Sequence, residues 1–131
     1  MKFVGKREAP MTLAKQRKLL GNHLNFAASE AYKLLRTNLM FALPDNKECR
    51  VIGITSALRG EGKSTTSVNL AYTIAQTGER VLMIEADMRL PNVAQRLALR
   101  PTLGLSDLLA GLCTREEAIQ ESGMLDRDDN T

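Results

Sequence analysis

The stretch SALRGEGKSTT, from Ser56 to Thr66, limits what this chain can fold into more than any other part of the sequence. Residues 57–64 match the phosphate-binding loop pattern G-x-x-x-x-G-K-[ST], except that alanine replaces the first glycine. This pattern binds phosphate only where a β-strand leads into it and a helix follows it. The flanking residues therefore decide what the stretch means.

Both flanks have the required character. Residues 50–56 (RVIGITS) and residues 80–85 (RVLMIE) are short apolar runs, typical of strands buried in a parallel sheet. Between them, residues 62–77 repeat apolar side chains at helical spacing, and Gly78 follows as a C-terminal cap. Strand, helix and strand in this order predict a right-handed βαβ unit with parallel strands.

Further helices are predicted at residues 27–43, 91–97 and 106–110. The expected fold class is therefore α/β, a parallel sheet of the P-loop NTPase type flanked by helices. We expect residues 1–26 to form a basic N-terminal segment. Residues 27–131 are expected to be the N-terminal part of a P-loop kinase or ATPase domain, because 131 residues are few for a complete one.

The loop residues have separate expected roles. Gly60 and Gly62 let the backbone curl so that successive N–H groups point at one anion. Lys63 should reach the β- and γ-phosphates, and Ser64 should give its hydroxyl to Mg²⁺. The first helical turn should offer free N–H groups to the α-phosphate. The predicted phosphate-binding residues are Gly60, Glu61, Gly62, Lys63, Ser64, Thr65 and Thr66.

Two carboxylates, Glu85 and Asp87, follow the second predicted strand. In open α/β sheets, ligands gather at the carboxyl ends of the strands. The pair is therefore placed to hold Mg²⁺, its waters or an incoming hydroxyl. The alternative is an acidic turn at the surface.

Charge and cysteine content indicate which partners and which cellular compartment to expect. Residues 1–20 carry six basic side chains against one acidic side chain. They form either a solvated face or a surface for an acidic partner or anionic lipid; nucleic acid is disfavoured because no aromatic platform accompanies the charge. The two widely spaced cysteines, Cys49 and Cys113, predict structural thiols in a reducing cytoplasm. Neither a secretory signal nor a membrane-spanning run is recognisable.

Four segments in order resemble the cytoplasmic kinase domain of bacterial tyrosine kinases that control capsule and exopolysaccharide synthesis. The segments are EAYKLLRTNL (residues 30–39), VIGITSALRGEGKSTTSVNLA (51–71), VLMIEADMRLP (81–91) and GLSDLLAG (104–111). The resemblance implies ATP with Mg²⁺, phosphoryl transfer to tyrosine and autophosphorylation. It makes Lys63, Glu85 and Asp87 the catalytic residues, with Ser64 and Asp87 on the metal.

The chain departs from the family pattern at two motifs. Glu85 stands where the family has the first aspartate of an Asp-x-Asp pair, and a misplaced carboxylate can cost roughly a hundredfold in rate. The family's Glu-x-x-Arg-x-x-Arg motif, used at the interface of a ring oligomer, is present as Glu30, Lys33 and Arg36. The alternative for these three residues is an intrahelical salt bridge.

The family's third motif, an aspartate-bearing strand, and its C-terminal tyrosine cluster would follow where this sequence stops. The only tyrosines are Tyr32 and Tyr72, both on predicted helices and partly facing the core. We therefore expect a fragment that is inactive alone. The resemblance also implies a cytoplasmic protein held at the inner face of the plasma membrane by a membrane-bound activator, the polysaccharide co-polymerase, with protein tyrosines as substrates.

Two other functions fit the same loop. Partition and septum-placement ATPases, which switch between monomer and dimer, carry an extra lysine early in the loop, whereas this chain has Leu58. A nucleotide-binding adaptor without kinase activity is the other. The signatures of eukaryotic-type kinases (HRD, DFG, VAIK) are absent from the sequence, which excludes that fold.

Overall fold

The computed structural model describes residues 11–45, 48–100 and 102–124, and in these residues it shows helices joined by loops. The helices are α1 (Leu13–Arg17), α2 (Phe26–Ala42), α3 (Lys63–Ala75), α4 (Val93–Arg96), α5 (Leu105–Leu109) and α6 (Arg115–Ala118), with a 3-10 turn at Gly21–His23. Helices α2 and α3 confirm the predictions at residues 27–43 and 62–77 to within two residues at either end. The shorter α4 and α5 overlap the predictions at residues 91–97 and 106–110.

The two long helices pack against each other. Helix α2 begins at Asn25, whose Oδ1 accepts a hydrogen bond from the Ala28 amide at 2.8 Å, a standard N-cap contact. It ends before Pro44, as the sequence predicts. Arg36 donates from Nη1 to the Thr73 carbonyl on α3 at 2.6 Å, which ties the middle of α2 to the C-terminal half of α3.

The hydrophobic core is small and draws on distant parts of the chain. Its buried members are Leu20, Val68 and Val93, which are 3%, 2% and 8% exposed. Partly buried side chains of Met83, Leu97 and Met124 pack against them. The core therefore joins the N-terminal segment, α3, α4, the predicted second strand through Met83, and Met124 at the end of the described residues.

A buried amide holds the N-terminal segment on α3. Asn69 is 0% exposed; its Oδ1 accepts from the Gly21 amide at 2.8 Å, and its Nδ2 donates to the Leu19 carbonyl at 2.8 Å. Gly21 has a φ of 56°, and a Cβ at this position would collide with the Cε methyl of Met124. The described part of the predicted 1–26 segment is therefore docked on the domain, whereas its first ten residues lie outside the described residues.

The two predicted strands are not formed. No strand is assigned anywhere in the described ranges, and no backbone hydrogen bond joins residues 50–56 to residues 80–85. Val51, Leu82 and Ile84 are 90%, 61% and 62% exposed. Parallel strands are stable where other strands and helices cover them, and a two-stranded pair alone is marginal. Here the helices pack on one another and leave most apolar side chains of both segments exposed, although Met83 packs against the core.

Both cysteines are free thiols. Cys49 is exposed, whereas Cys113 is half-buried, and desolvation followed by the nearby Asp107 and Glu117 carboxylates raises the pKa of its thiol. Since the thiolate is the reactive form, the raised pKa lowers the fraction of Cys113 that is reactive at neutral pH. Within the described ranges, no helix combines the length and the apolar character needed to cross a bilayer.

Replacing Asn69 by alanine tests the buried amide. The Asn69→Ala variant leaves the buried Gly21 amide without a partner, at about 1–3 kcal/mol, and also removes the donor to the part-buried Leu19 carbonyl. We expect a clearly lower free energy of unfolding in urea titrations followed by circular dichroism. The matched control is Asn38→Ala, which removes an exposed asparagine from α2 and should change stability by less than about 0.5 kcal/mol. Equal stability of the two variants would contradict the role given to Asn69.

Candidate phosphate-binding site

The loop before α3 has the backbone conformation that its glycines predict. Gly60 and Gly62 have φ values of 83° and 85°, in the left-handed region that side chains with a Cβ avoid. A Cβ added at either position would meet nothing within 4 Å. Glycine is therefore required at these two positions by the backbone conformation and not by lack of space.

Two hydrogen bonds close the loop on itself. The Ser56 hydroxyl donates to the Leu58 carbonyl at 3.0 Å, and the Leu58 amide donates to Glu61 Oε2 at 3.2 Å. Glu61 belongs to the predicted phosphate-binding set, but its carboxylate contacts the loop's own backbone. Since Glu61 and Leu58 are exposed, this contact is open to exchange with solvent or with another anion.

The start of α3 presents unused hydrogen-bond donors. The Thr66 amide donates to the Gly62 carbonyl at 2.9 Å and so begins the helical ladder. The backbone amides of Lys63, Ser64 and Thr65 have no acceptor among the described residues, as expected for the first turn of a helix. The Thr65 amide therefore has no acceptor among the described residues, whereas the Thr66 amide is already bonded within the helix.

The Lys63 side chain is exposed and unpaired. Neither ion pair found in the described part of the chain involves its ammonium group. The Ser64 hydroxyl likewise has no hydrogen-bond partner within the described ranges. Amides without an acceptor, an exposed ammonium group and a helix N-terminus with partial positive charge thus occur together at the start of α3, a combination that suits a phosphate group.

The two predicted acidic residues lie in a different arrangement from the one expected. Glu85 accepts at Oε1 from the Asn92 amide at 2.8 Å and at Oε2 from the Val93 amide at 3.2 Å, so both oxygens hold the start of α4. Asp87 accepts at Oδ1 from the Leu90 amide at 3.2 Å, within its own turn. No hydrogen bond joins either carboxylate to the loop.

The predicted metal ligands are only partly available. A search of the described ranges found no group of three or more His, Cys, Asp or Glu side chains able to hold a metal ion. Ser64 keeps a free hydroxyl, and Asp87 keeps one carboxylate oxygen without a partner. Mg²⁺ commonly uses one or two protein ligands and fills the rest of its shell with water and substrate phosphates, so Ser64 and Asp87 stay the predicted ligands.

One residue near the loop was missed by the sequence analysis. Arg96, the last residue of α4, donates from Nη1 to the Thr65 hydroxyl at 3.0 Å. Its Nε is buried and has no partner among the described residues. No local pattern marks Arg96, because its position depends on how α4 packs against α3.

The predicted oligomer-interface residues all have partners within the chain. Lys33 and Glu30 form a salt bridge of 2.8 Å along α2, which is the intrahelical alternative foreseen from the spacing. Arg36 bonds to the Thr73 carbonyl on α3. Beside it, a cavity of about 530 Å³ lies between the C-terminal ends of α2 and α3, and no residue of the phosphate loop lines it. A ring interface through these residues stays a prediction.

Comparison with known proteins agrees with the loop. Residues 49–128 match the family model AAA_31, described as an AAA domain, a P-loop NTPase-type domain. The chain is 46% identical over 94 residues to the tyrosine-protein kinase YwqD of Bacillus subtilis, covering 72% of this chain and 39% of that protein. It is 36% identical over 96 residues to the tyrosine-protein kinase CpsD of Streptococcus agalactiae, covering 72% and 41%.

These matches include the loop and the acidic pair but reach only about two fifths of either relative's length. No solved structure matches the chain significantly. The family model covers more than half of the chain, and both relatives are named as tyrosine kinases. The chain therefore belongs to the AAA-domain family, within its bacterial tyrosine-kinase branch.

Proposed function

We propose that this chain is the ATP-binding part of a bacterial protein-tyrosine kinase. The observation that carries the proposal is the start of α3, where residues 60–65 supply two left-handed glycines, three amides without an acceptor and the unpaired Lys63 ammonium group. The triphosphate of ATP is an anion of the kind that such groups bind. The relatives' names supply the reaction class, transfer to tyrosine.

The residues at the start of α3 would bind different parts of the nucleotide. The amides of Lys63, Ser64 and Thr65 would hold the α- and β-phosphate oxygens, and the Lys63 ammonium group would reach the β- and γ-phosphates. Ser64 and Asp87 would hold Mg²⁺, which neutralises charge on the phosphates. Both Glu85 oxygens are bonded to the start of α4, so we expect nucleotide binding without efficient phosphoryl transfer from these 131 residues alone.

The cellular setting follows from the same family. We propose a cytoplasmic role in capsule or exopolysaccharide synthesis and export, at the inner face of the plasma membrane beside a membrane-bound activator. Protein tyrosines, including those of other copies in an autophosphorylating ring, would be the substrates. The exposed basic side chains of Lys15 and Lys18 suit contact with an acidic surface of such a partner.

We also propose that residues 50–56 and 80–85 pair as parallel strands in the assembled kinase domain. Their exposed apolar side chains, with Val51 90% and Leu82 61% exposed, are those that a sheet covered on both faces would bury. Hydrogen exchange tests the pairing. Amides of both segments should exchange more slowly with Mg-ATP bound if pairing accompanies binding, and unchanged exchange would count against it.

Removal of the Lys63 charge tests the phosphate site. Lys63→Met loses a charge-assisted contact worth roughly 1.5–3 kcal/mol, so affinity for Mg-ATP should fall about ten- to a hundredfold in isothermal titration calorimetry. The control Lys18→Met removes an exposed charge elsewhere and should bind as the unaltered chain does. Equal affinities for all three proteins would remove Lys63 from the site.

The same samples separate a kinase part from a partition-type ATPase switch. With γ-labelled ATP, we expect bound nucleotide and little free phosphate from this chain. Rapid phosphate release without an acceptor would favour the switch, against which Leu58 argues by replacing the extra lysine of those ATPases.

The glycine conformation gives a second test. Gly62→Ala forces a Cβ into a left-handed φ of 85°, at a cost of about 1–2 kcal/mol, and should weaken both stability and Mg-ATP binding. Gly53→Ala is the matched control because its φ lies outside the left-handed region and its Cβ would meet nothing within 4 Å. Denaturant titration and calorimetry measure both effects; an undisturbed Gly62→Ala would show that the loop does not need this conformation for binding.

A further inference from the structure

Arg96 is a half-buried cation without a counter-ion. Its Nη1 contacts the Thr65 hydroxyl at 3.0 Å, and its Nε is buried without a hydrogen-bond partner in the described part of the chain. The ion pairs of the described residues are Glu30 with Lys33 and Asp45 with Arg50, so no carboxylate compensates Arg96 there. A partly desolvated guanidinium without a paired anion is costly and suits an anion that arrives from solution.

The surroundings of Arg96 point to phosphate. Thr65 lies in the first turn of α3, and its own amide is one of the free donors of the loop. The guanidinium therefore adds positive charge beside a helix N-terminus that is already positive. Two positive groups side by side repel each other while no anion is bound. A phosphate group between them would replace this repulsion by attraction.

The position of Arg96 is fixed by Glu85. The Glu85 carboxylate accepts from the Asn92 and Val93 amides and so holds the start of α4. Val93, only 8% exposed, anchors the same helix in the core against Leu20 and Val68. Arg96 lies three residues after Val93, hence on the same side of α4, which faces α3.

We propose that Arg96 binds the α-phosphate side of the nucleotide and that Glu85 acts as its positioning residue through α4. This inference rests on the proposed nucleotide site and adds a cation to it. The inference also gives Glu85 a role that suits its long side chain, since the carboxylate accepts a hydrogen bond from the amide of Asn92, seven positions later in the sequence. The glutamate thus acts on the phosphate site through α4 and not through a metal.

Calorimetry with Mg-ATP and Mg-ADP tests the role of Arg96. Arg96→Met should lower the affinity for Mg-ATP and for Mg-ADP by roughly ten- to a hundredfold, because the α-phosphate is common to both nucleotides. Affinity should also depend less on salt than in the unaltered chain, since one screened charge contact is gone. Arg96→Gln, which keeps a donor for Thr65 but no charge, should show the same loss if Arg96→Met is poorly folded. The control Arg100→Met removes an exposed charge and should leave affinity unchanged.

A double-mutant cycle tests the role of Glu85. Glu85→Ala should lower the affinity for both nucleotides. The Glu85→Ala/Arg96→Met double variant should bind no more weakly than Arg96→Met alone, because Glu85 acts through Arg96. Fully additive losses would overturn the positioning role.

The outcomes separate this inference from the proposed function. The inference would be overturned if Arg96→Met and Arg96→Gln bound nucleotide as tightly as Arg100→Met does. If Lys63→Met still lost affinity, the proposed nucleotide site itself would stand. If the unaltered chain binds neither nucleotide, both the site and the inference are overturned.

Discussion

The buried amide of Asn69 is the contact on which the rest of the described structure depends. A fully buried polar side chain is tolerated only when its donors and acceptor are satisfied, and Asn69 meets this condition with the backbone of Leu19 and Gly21. The contact fixes the N-terminal segment on α3 and brings Leu20 onto Val68. Helix α3 in turn carries the phosphate loop at its N-terminus, so one amide links the start of the chain to the candidate site.

Local physics made part of the structure predictable. Helical spacing of apolar residues, Pro44 after α2 and glycines around α3 located both long helices, since periodicity and end signals are properties of neighbouring residues. The loop motif also marked Gly60 and Gly62 as the residues at which the backbone curls, and both have positive φ values. These features depend on a dozen consecutive residues and not on the remainder of the fold.

Features set by distant contacts were not predictable in this way. Apolar runs at residues 50–56 and 80–85 suit strands, but pairing needs covering elements that sequence periodicity cannot supply. The sequence around Asn69 is that of an ordinary helix, and the role of this residue comes from its contact with Gly21, 48 positions away. Glu85 was expected to be catalytic from the family resemblance, and no local pattern showed that its carboxylate bonds to the start of α4, the helix whose Arg96 contacts Thr65.

The uncovered apolar runs have a consequence for how the chain behaves in bulk. Val51, Leu82 and Ile84 stand out into water on backbone whose N–H and C=O groups have no partners in the described structure. Such segments are templates for edge-to-edge association between molecules. At high protein concentration, these two stretches are therefore the parts of the described chain best suited to form intermolecular β-structure.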